Sequence, residues 1–412
     1  MSKTILILGG AYVGVSSAHY ILKHIIPSLP DPSSYQVILV SSSKETIVRP
    51  ATPRAILSDK FFDQDKLIVP LKKQFTSYGD TFRFIHGTAK WLDHEQRKVV
   101  VEEISESGFG VDEIQLEYHA LIIGTGSSSP SPLFALNAGG APELKEKWEL
   151  FRAALPAAKR IVIAGGGPVG VETAGELGEH LNGRAGWFAS KLEDPKVKIT
   201  VVTSAEKLLP ELRPAIATIA EELLAKVGVE VVKGVRVAGV TPENAGKDNI
   251  SAKTNVTLSN GEVLQADLYI PAYGTIPNTA FVNESLKASD GRLRTNKQTL
   301  RVEGAGPRVY TAGDASDYAR SSIPIITSAI PVLCANLKRD LLVEAGEATG
   351  QDRLFTVDES EFQLVPIGQS NGVGAVKGFK LPSWSVWLIK GRDYFVGKTQ
   401  GTWNGQAWAK EA

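Results

Sequence analysis

Glycines stand at 165, 167 and 170, directly after the apolar run Ile161-Val-Ile-Ala164 and directly before a helical pattern carrying Glu172. Strand, G-x-G-x-x-G and helix in that order form a turn that can cradle a pyrophosphate. Gly165 allows the tight turn, Gly167 lets a phosphate approach the backbone, and Gly170 lets helix and strand pack closely. Gly166, Pro168 and Val169 complete the loop, and the free N–H groups of the helix N-terminus face the anion. One such turn is weak evidence, but the chain repeats it. Ile5-Leu-Ile-Leu-Gly-Gly-Ala-Tyr-Val-Gly14 aligns with Ile161–Gly170 at a constant offset, placing Gly9, Gly10, Ala11, Tyr12, Val13 and Gly14 in a second loop. Ala11 stands where the middle glycine belongs, so its methyl crowds a phosphate slightly. Tyr12 either stacks on a ligand or packs.

Each loop also has a closing echo. Leu121-Ile-Ile-Gly-Thr-Gly126 and Leu268-Tyr-Ile-Pro-Ala-Tyr-Gly274 are apolar strands ending in glycine, and they place Thr125, Gly126 and Gly274 beside the turns. The strand after each turn normally ends in a carboxylate that binds ribose hydroxyls. Here the ends read Val40-Ser41-Ser42-Ser43-Lys44 and Val202-Thr203-Ser204, with Lys207 just beyond. Serine and threonine are weaker ribose ligands, and Lys207 would suit a 2′-phosphate or simply solvent. Arg49 and Arg54 lie in a Pro-rich loop; solvent is favoured for Arg49, whereas Arg54 is balanced between cofactor and solvent.

The elements that must position these groups are two α/β units. Thr4–Leu8 and Tyr35–Val40 are strands, and Val13–His24 is helical. Phe82–Trp91, Lys98–Glu102 and Glu113–Tyr118 read as a small β meander inserted before the first unit closes at Leu121–Ile123. Ser127–Pro132 reads as a linker. Helices are expected over 143–154, 169–181 and 216–227, strands over 197–202 and 229–232, and a hairpin around Asn260-Gly261.

At 412 residues there is room for two to three domains. The balance of 45 basic and 45 acidic residues weighs against a nucleic-acid partner. One cysteine, Cys334, excludes an internal disulfide and a dithiol pair, and no histidine follows His180. We expect no metal site, no presequence before the first strand, no myristoyl anchor and no spanning helix.

Val309-Tyr-Thr-Ala-Gly-Asp-Ala315, following two glycine turns, resembles the second FAD motif of the two-dinucleotide-binding flavoproteins. The whole chain resembles the FAD/NAD(P)-dependent pyridine nucleotide oxidoreductases of that class, in the apoptosis-inducing-factor-like, ferroptosis-suppressor-like branch. Gly165–Glu172, Pro277-Asn278-Thr279, Val365–Gly368, Gly372–Gly374, Ile389–Gly391 and Gly397-Lys398 carry the closer likeness.

The resemblance implies two Rossmann-like domains of the glutathione-reductase type and a small α+β C-terminal domain. The FAD-binding domain would comprise 1–126 and 281–337, the NAD(P)H-binding domain 127–280 and the C-terminal domain 338–412. The first loop would hold FAD with Ser41, Ser42, Lys44, Arg54 and Ala89, while Thr125, Gly126, Gly313 and Asp314 close around it, Asp314 on the ribityl chain. The second would hold NADH or NADPH with Thr203, Ser204, Lys207 and Gly274, and Glu172, the catalytic candidate, would face the nicotinamide half. Relatives often place Pro-Lys near the flavin after the aspartate; here Pro324 is followed by Ile325.

The expected activity is hydride transfer from NAD(P)H to flavin, then electrons to a quinone-like acceptor. The alternatives are a flavoenzyme of specialised metabolism or a non-enzymatic signalling protein. The expected location is cytoplasmic, as monomer or homodimer, or else mitochondrion-associated. The tail carries Trp384, Trp387, Trp403 and Trp408, which either pack as core or a dimer face or rest on a lipid surface.

Overall fold

The protein is described from a computed structural model covering residues 3–105, 110–136, 139–320, 322–347 and 350–411. Its first sheet grows outward from β1 (Lys3–Leu8), whose four residues Ile5 to Leu8 are buried. The helix α1 (Tyr12–Tyr20) leaves β1 through the glycine turn and continues as a single π-helical turn over Ile21–Ile25. Parallel partners flank β1: β2 (Tyr35–Ser41) on one side and a later strand, Ala120–Ile123, on the other. A strand from far along the chain, Val309–Thr311, pairs parallel with Ala120–Ile123 and brings the Gly313-Asp314 turn to the same sheet edge. Strands so enclosed must be apolar on both faces, which explains their unbroken Ile/Leu/Val runs.

The expected meander is present but is not a separate insertion. β3 (Phe82–Asp93) is one long strand, parallel to β2 through Val37–Ser41 and antiparallel to β4 (Lys98–Ile104) through its far half. With β5 (Val111–Glu117) it extends the same sheet to seven strands, and β6 is the Ala120–Ile123 strand already described.

The second sheet repeats the plan in smaller form. Its order is Val229–Val232, β8 (Lys198–Val202), β7 (Arg160–Ala164) and Leu268–Pro271, all parallel. Helix α2 (Pro168–Asn182) follows β7. The hairpin expected at Asn260-Gly261 forms, with Val237–Thr241 added as a third antiparallel strand. Helices also run over Gly140–Ala154 and Pro214–Ala225, close to the expected spans.

One expectation fails. Ser127-Ser128 does not form a free linker but pairs antiparallel with Ile276-Pro277. Ser128 Oγ donates to Asn278 Oδ1 (2.7 Å), Thr125 Oγ1 donates to the Asn278 carbonyl (2.7 Å), and Asn278 Nδ2 returns a bond to the Thr125 carbonyl (3.0 Å). The backbone polar groups that an unpaired Ser/Pro stretch would leave to water are satisfied by this two-stranded crossing instead.

The tail is built on a long helix, α3 (Ile323–Glu344), a hairpin of Gln363–Ile367 with Asn371–Val376, and a short helix, α4 (Val396–Trp403). It divides the four tryptophans. Trp403 and Trp408 are core, whereas Trp384 is exposed.

The two glycine turns share their steric logic. Gly9 has φ +110° and Gly165 φ +133°; a Cβ on either would overlap a carbonyl oxygen, of Gly124 and Ala272 respectively. A Cβ at Gly167, by contrast, meets nothing within 4 Å. Gly165→Ala should therefore cost about 2 kcal/mol or more of unfolding free energy, whereas Gly167→Ala should stay within about 0.5 kcal/mol. Urea denaturation of the two variants checks this, and equal midpoints would contradict it.

Candidate functional site

The first turn sits where β1 ends. Gly9 N–H donates to the Val40 carbonyl and Gly124 N–H to that of Leu8, locking the three strand ends together. Ser41 is buried against Gly10, so close that a Cβ on Gly10 would lie 2.5 Å from Ser41 Oγ. The second turn repeats this: Gly165 N–H bonds Val202 O, Ala272 N–H bonds Ala164 O, and Thr203 Oγ1 would lie 2.7 Å from a Cβ on Gly166. Neither helix has a side-chain cap at Ala11 or Gly167, so no cap side chain competes with a ligand for the first-turn N–H groups. Both turns therefore fit a dinucleotide pyrophosphate. Ala11 is exposed.

Val13 gathers the remaining first-turn groups. A Cβ on Gly313 would lie 2.9 Å from Val13 Cγ2, and one on Gly124 would lie 2.9 Å from Val13 Cγ1. Asp314 is thereby held beside the Gly9–Gly14 turn. Its Oδ2 accepts from Ser127 Oγ (2.6 Å) and lies 3.8 Å from Arg49 Nη1, which also donates to the Ser127 carbonyl (3.1 Å). Thr125 and Gly126 carry the Asn278 clamp, and Gly126 has φ +65°.

Glu172 is buried on the first turns of α2, and Lys390 from the tail donates its Nζ to Glu172 Oε1 and to the Leu364 carbonyl (3.1 Å). One helical turn on, buried Glu176 takes two bonds from Arg54 (2.9 and 2.8 Å) and one from Tyr394 Oη (2.9 Å). Arg54 Cζ lies 4.7 Å from the centre of the Tyr394 ring. Burial raises the Glu172 carboxyl to about 7, against the pull of Lys390 and with Glu176 adding to the rise. Burial also pushes the Tyr394 phenol well above its ordinary value.

Several expected contacts lie elsewhere. Arg54 Nη1 bonds the Gly391 carbonyl (2.7 Å) and Nη2 that of Gly368 (3.3 Å), so with Glu176 each guanidinium nitrogen makes a bond inside the protein. Lys207 turns its ammonium onto the carbonyls of Pro210 and Leu212, away from a 2′-phosphate role. Tyr12 packs, with its ring centre 4.7 Å from that of Trp403. Ala89 sits at a register shift in β3, part-buried against the sheet core. Lys44 is exposed, and the Ser42 carbonyl lies 3.3 Å from His86 Nε2. Ser204 is exposed beside buried Thr203, Pro168 and Val169 open α2, and Gly274 takes φ +59° after Tyr273. Arg49, Glu176, Asn278, Lys390 and Tyr394 were not among the expected site residues. The Pro277-Asn278-Thr279 and Ile389-Lys390-Gly391 motifs were signals for two of them; Arg49, Glu176 and Tyr394 have no local signature.

Comparison with known proteins places this geometry in context. The profile of the family described as pyridine nucleotide-disulphide oxidoreductase matches residues 3–331. Oxidoreductase phnG of Penicillium herquei is 54% identical over 412 residues, covering 99% of this chain and 97% of that protein. Ferroptosis suppressor protein 1 of Xenopus tropicalis is 25% identical, covering 97% and 95%. The structure of the sulfide:quinone oxidoreductase of Aquifex aeolicus superposes with a TM-score of 0.68 at 15% identity, over 98% of this chain and 92% of that one, and shows the shared fold.

The elevated Glu172 carboxyl has a consequence for stability. The folded protein keeps a proton there that the unfolded chain gives up near 4.5, so its contribution falls as pH rises from about 4.5 through about 7. In Glu172→Gln that fall should disappear. Melting temperatures of wild type and variant across this range test it, and parallel profiles would refute the assignment.

Proposed function

That this chain belongs to the pyridine nucleotide-disulphide oxidoreductase family is the premise from which we propose that it moves a hydride from NAD(P)H to FAD and then passes electrons to a quinone-like acceptor. FAD and NAD(P)H are the cofactors of the family. Bound in the two turns, they supply hydride transfer to the flavin and its reoxidation by an acceptor. The observation that carries the reading is the pair of matching glycine turns with Asp314 beside the first and the buried Glu172–Lys390 pair beside the second.

The chain's own groups have definite tasks. The first-turn N–H groups of α1 and α2 bind the two pyrophosphates, Asp314 accepts a hydroxyl beside the first turn, and the buried tail keeps water away from α2. Burial brings the Glu172 carboxyl to about 7, so beside Lys390 Nζ it holds a proton that is readily given and retaken near neutral pH. Thiol–disulfide exchange is absent from this scheme. The sequence has one cysteine, Cys334, and it is buried with its thiol pushed far up by desolvation.

A quinone needs electrons and protons but no protein nucleophile, which suits such a site. The exposed rings of Phe379 and Trp384, neighboured in sequence by the exposed Lys377 and Lys380, support a peripheral lipid contact as the finer form of this reading. Among the described residues no helix is long and apolar enough to cross a membrane. One observation favours a second reading, a flavoenzyme acting on a specialised metabolite. The buried lysine beside Glu172 comes from position 390, and the opening of α3 carries Pro324-Ile325 in place of the Pro-Lys that the resemblance suggests, which supports an acceptor other than a quinone.

The two readings part in an anaerobic experiment. Protein reduced with NADH or NADPH is mixed with a soluble benzoquinone and the flavin absorbance is followed. Reoxidation within seconds, slowed about tenfold or more in Lys390→Met, is expected. A reduced flavin indifferent to every quinone offered would contradict the quinone reading and favour the second.

A further inference from the structure

The end of the chain is fastened to the helix that leaves the first glycine turn. The Trp403 ring packs at a 47° tilt against that of Tyr12, the residue that opens α1. His19 Nε2 donates to the Trp403 carbonyl (2.8 Å), and His24 Nε2 donates to that of Trp408 (2.8 Å). Burial holds the His19 imidazole neutral, with its pKa pushed down to about 4, so with the proton on Nε2 the Nδ1 accepts from Tyr78 Oη (2.8 Å). Lys23 donates to the Gly405 carbonyl, and Gly405 takes φ +75° so closely against His19 that a Cβ would lie 2.6 Å from Nδ1. Tyr20 meets Trp408 edge to face. From 12 to 24, this helix therefore meets the tail on every turn.

What the tail holds still is a group left unsatisfied. The Tyr12 hydroxyl is buried with no partner at full hydrogen-bond geometry; Thr399 of the tail, whose own hydroxyl donates to the Phe395 carbonyl, lies beside it, and Arg49 is near enough for its charge to act on it. Arg49 in turn reaches Ser127 and Asp314, the polar groups beside the first turn. A buried hydroxyl without a partner is costly, and it is retained where a ligand supplies the partner.

We propose that the segment Val396–Trp408 is a structural part of the FAD site. In it Trp403 clamps Tyr12 so that the tyrosine hydroxyl, with Arg49, faces the dinucleotide, and Tyr12 and Trp403 are positioning residues for cofactor retention. The inference rests on the assignment of FAD to the first turn.

Apoprotein of wild type, Tyr12→Phe, Trp403→Phe and Trp403→Leu is titrated with FAD by fluorescence. NADH binding at the second turn and the melting temperature are measured alongside. FAD should bind about fivefold more weakly to Tyr12→Phe and about tenfold or more to Trp403→Leu, with Trp403→Phe between them and NADH affinity unchanged. Tyr12→Phe is close to isosteric, so it decides the matter if Trp403→Leu fails to fold. Equal FAD affinity in wild type and Tyr12→Phe, with Trp403→Leu either folded and equal or unfolded, would overturn the clamp alone. A folded wild type that binds no FAD would overturn the functional reading, and the clamp with it.

Discussion

Five buried polar side chains decide how the rest of the molecule fits together. Arg54 follows β2, Glu172 and Glu176 stand on α2, and Lys390 and Tyr394 come from the tail. Desolvating two carboxylates, a guanidinium and an ammonium is expensive, and the cost is offset only when each charge is paired and each remaining donor and acceptor is bonded. The geometry pairs each charge: Arg54 divides four hydrogen bonds between Glu176 and two carbonyls, and Lys390 divides two between Glu172 and a third. Removing one member leaves another charged and alone in a dry setting, which in comparable buried pairs costs about 3–5 kcal/mol. The junction therefore stabilises one arrangement of the first sheet, α2 and the tail against looser ones. It does so within two turns of the glycine loop that would hold the nicotinamide nucleotide.

Around that junction the chain uses one steric solution twice. In both turns a positive-φ glycine lies under a neighbouring strand's carbonyl, a second glycine lies against the strand-end serine or threonine, and a last one sits against the first. Ser41 and Thr203 stand where a carboxylate is common, and their hydroxyls fill the space that Gly10 and Gly166 leave. The difference between the turns is local. Ala11 adds a methyl to the first, and Tyr12 is drawn under Trp403, whereas the second opens on Pro168 and an exposed Val169.

Much of this was legible because it is written in short periods. A buried parallel strand is an unbroken apolar run, and a phosphate turn is a glycine spacing, so both sheets, both turns and the Gly313-Asp314 return could be read directly. The partners across the fold could not. Lys390 lies 218 residues from Glu172, and nothing in the spacing around either announces the other. Arg49 reads as a solvated loop cation until the return strand brings Asp314 to within 3.8 Å of it. Arg54 and Lys207 could be read from the sequence either as ligand contacts or as solvated cations, and the structure gives their donors instead to Glu176 and to backbone carbonyls. Ser127-Ser128 looked like a linker because composition carries no information about a strand partner at Ile276-Pro277. The tryptophans of the tail could be counted but not sorted, since burial at 403 is set by packing against α1 and not by its own sequence neighbours.

The central claim is that the two turns hold two dinucleotides that exchange a hydride. The most direct test is the visible spectrum of the purified protein before and after NADH or NADPH is added without oxygen. A yellow protein whose flavin band bleaches within seconds is the predicted result, and the faster nucleotide names the co-substrate. A colourless protein that also refuses added FAD, or a yellow one that neither nucleotide bleaches, would contradict it.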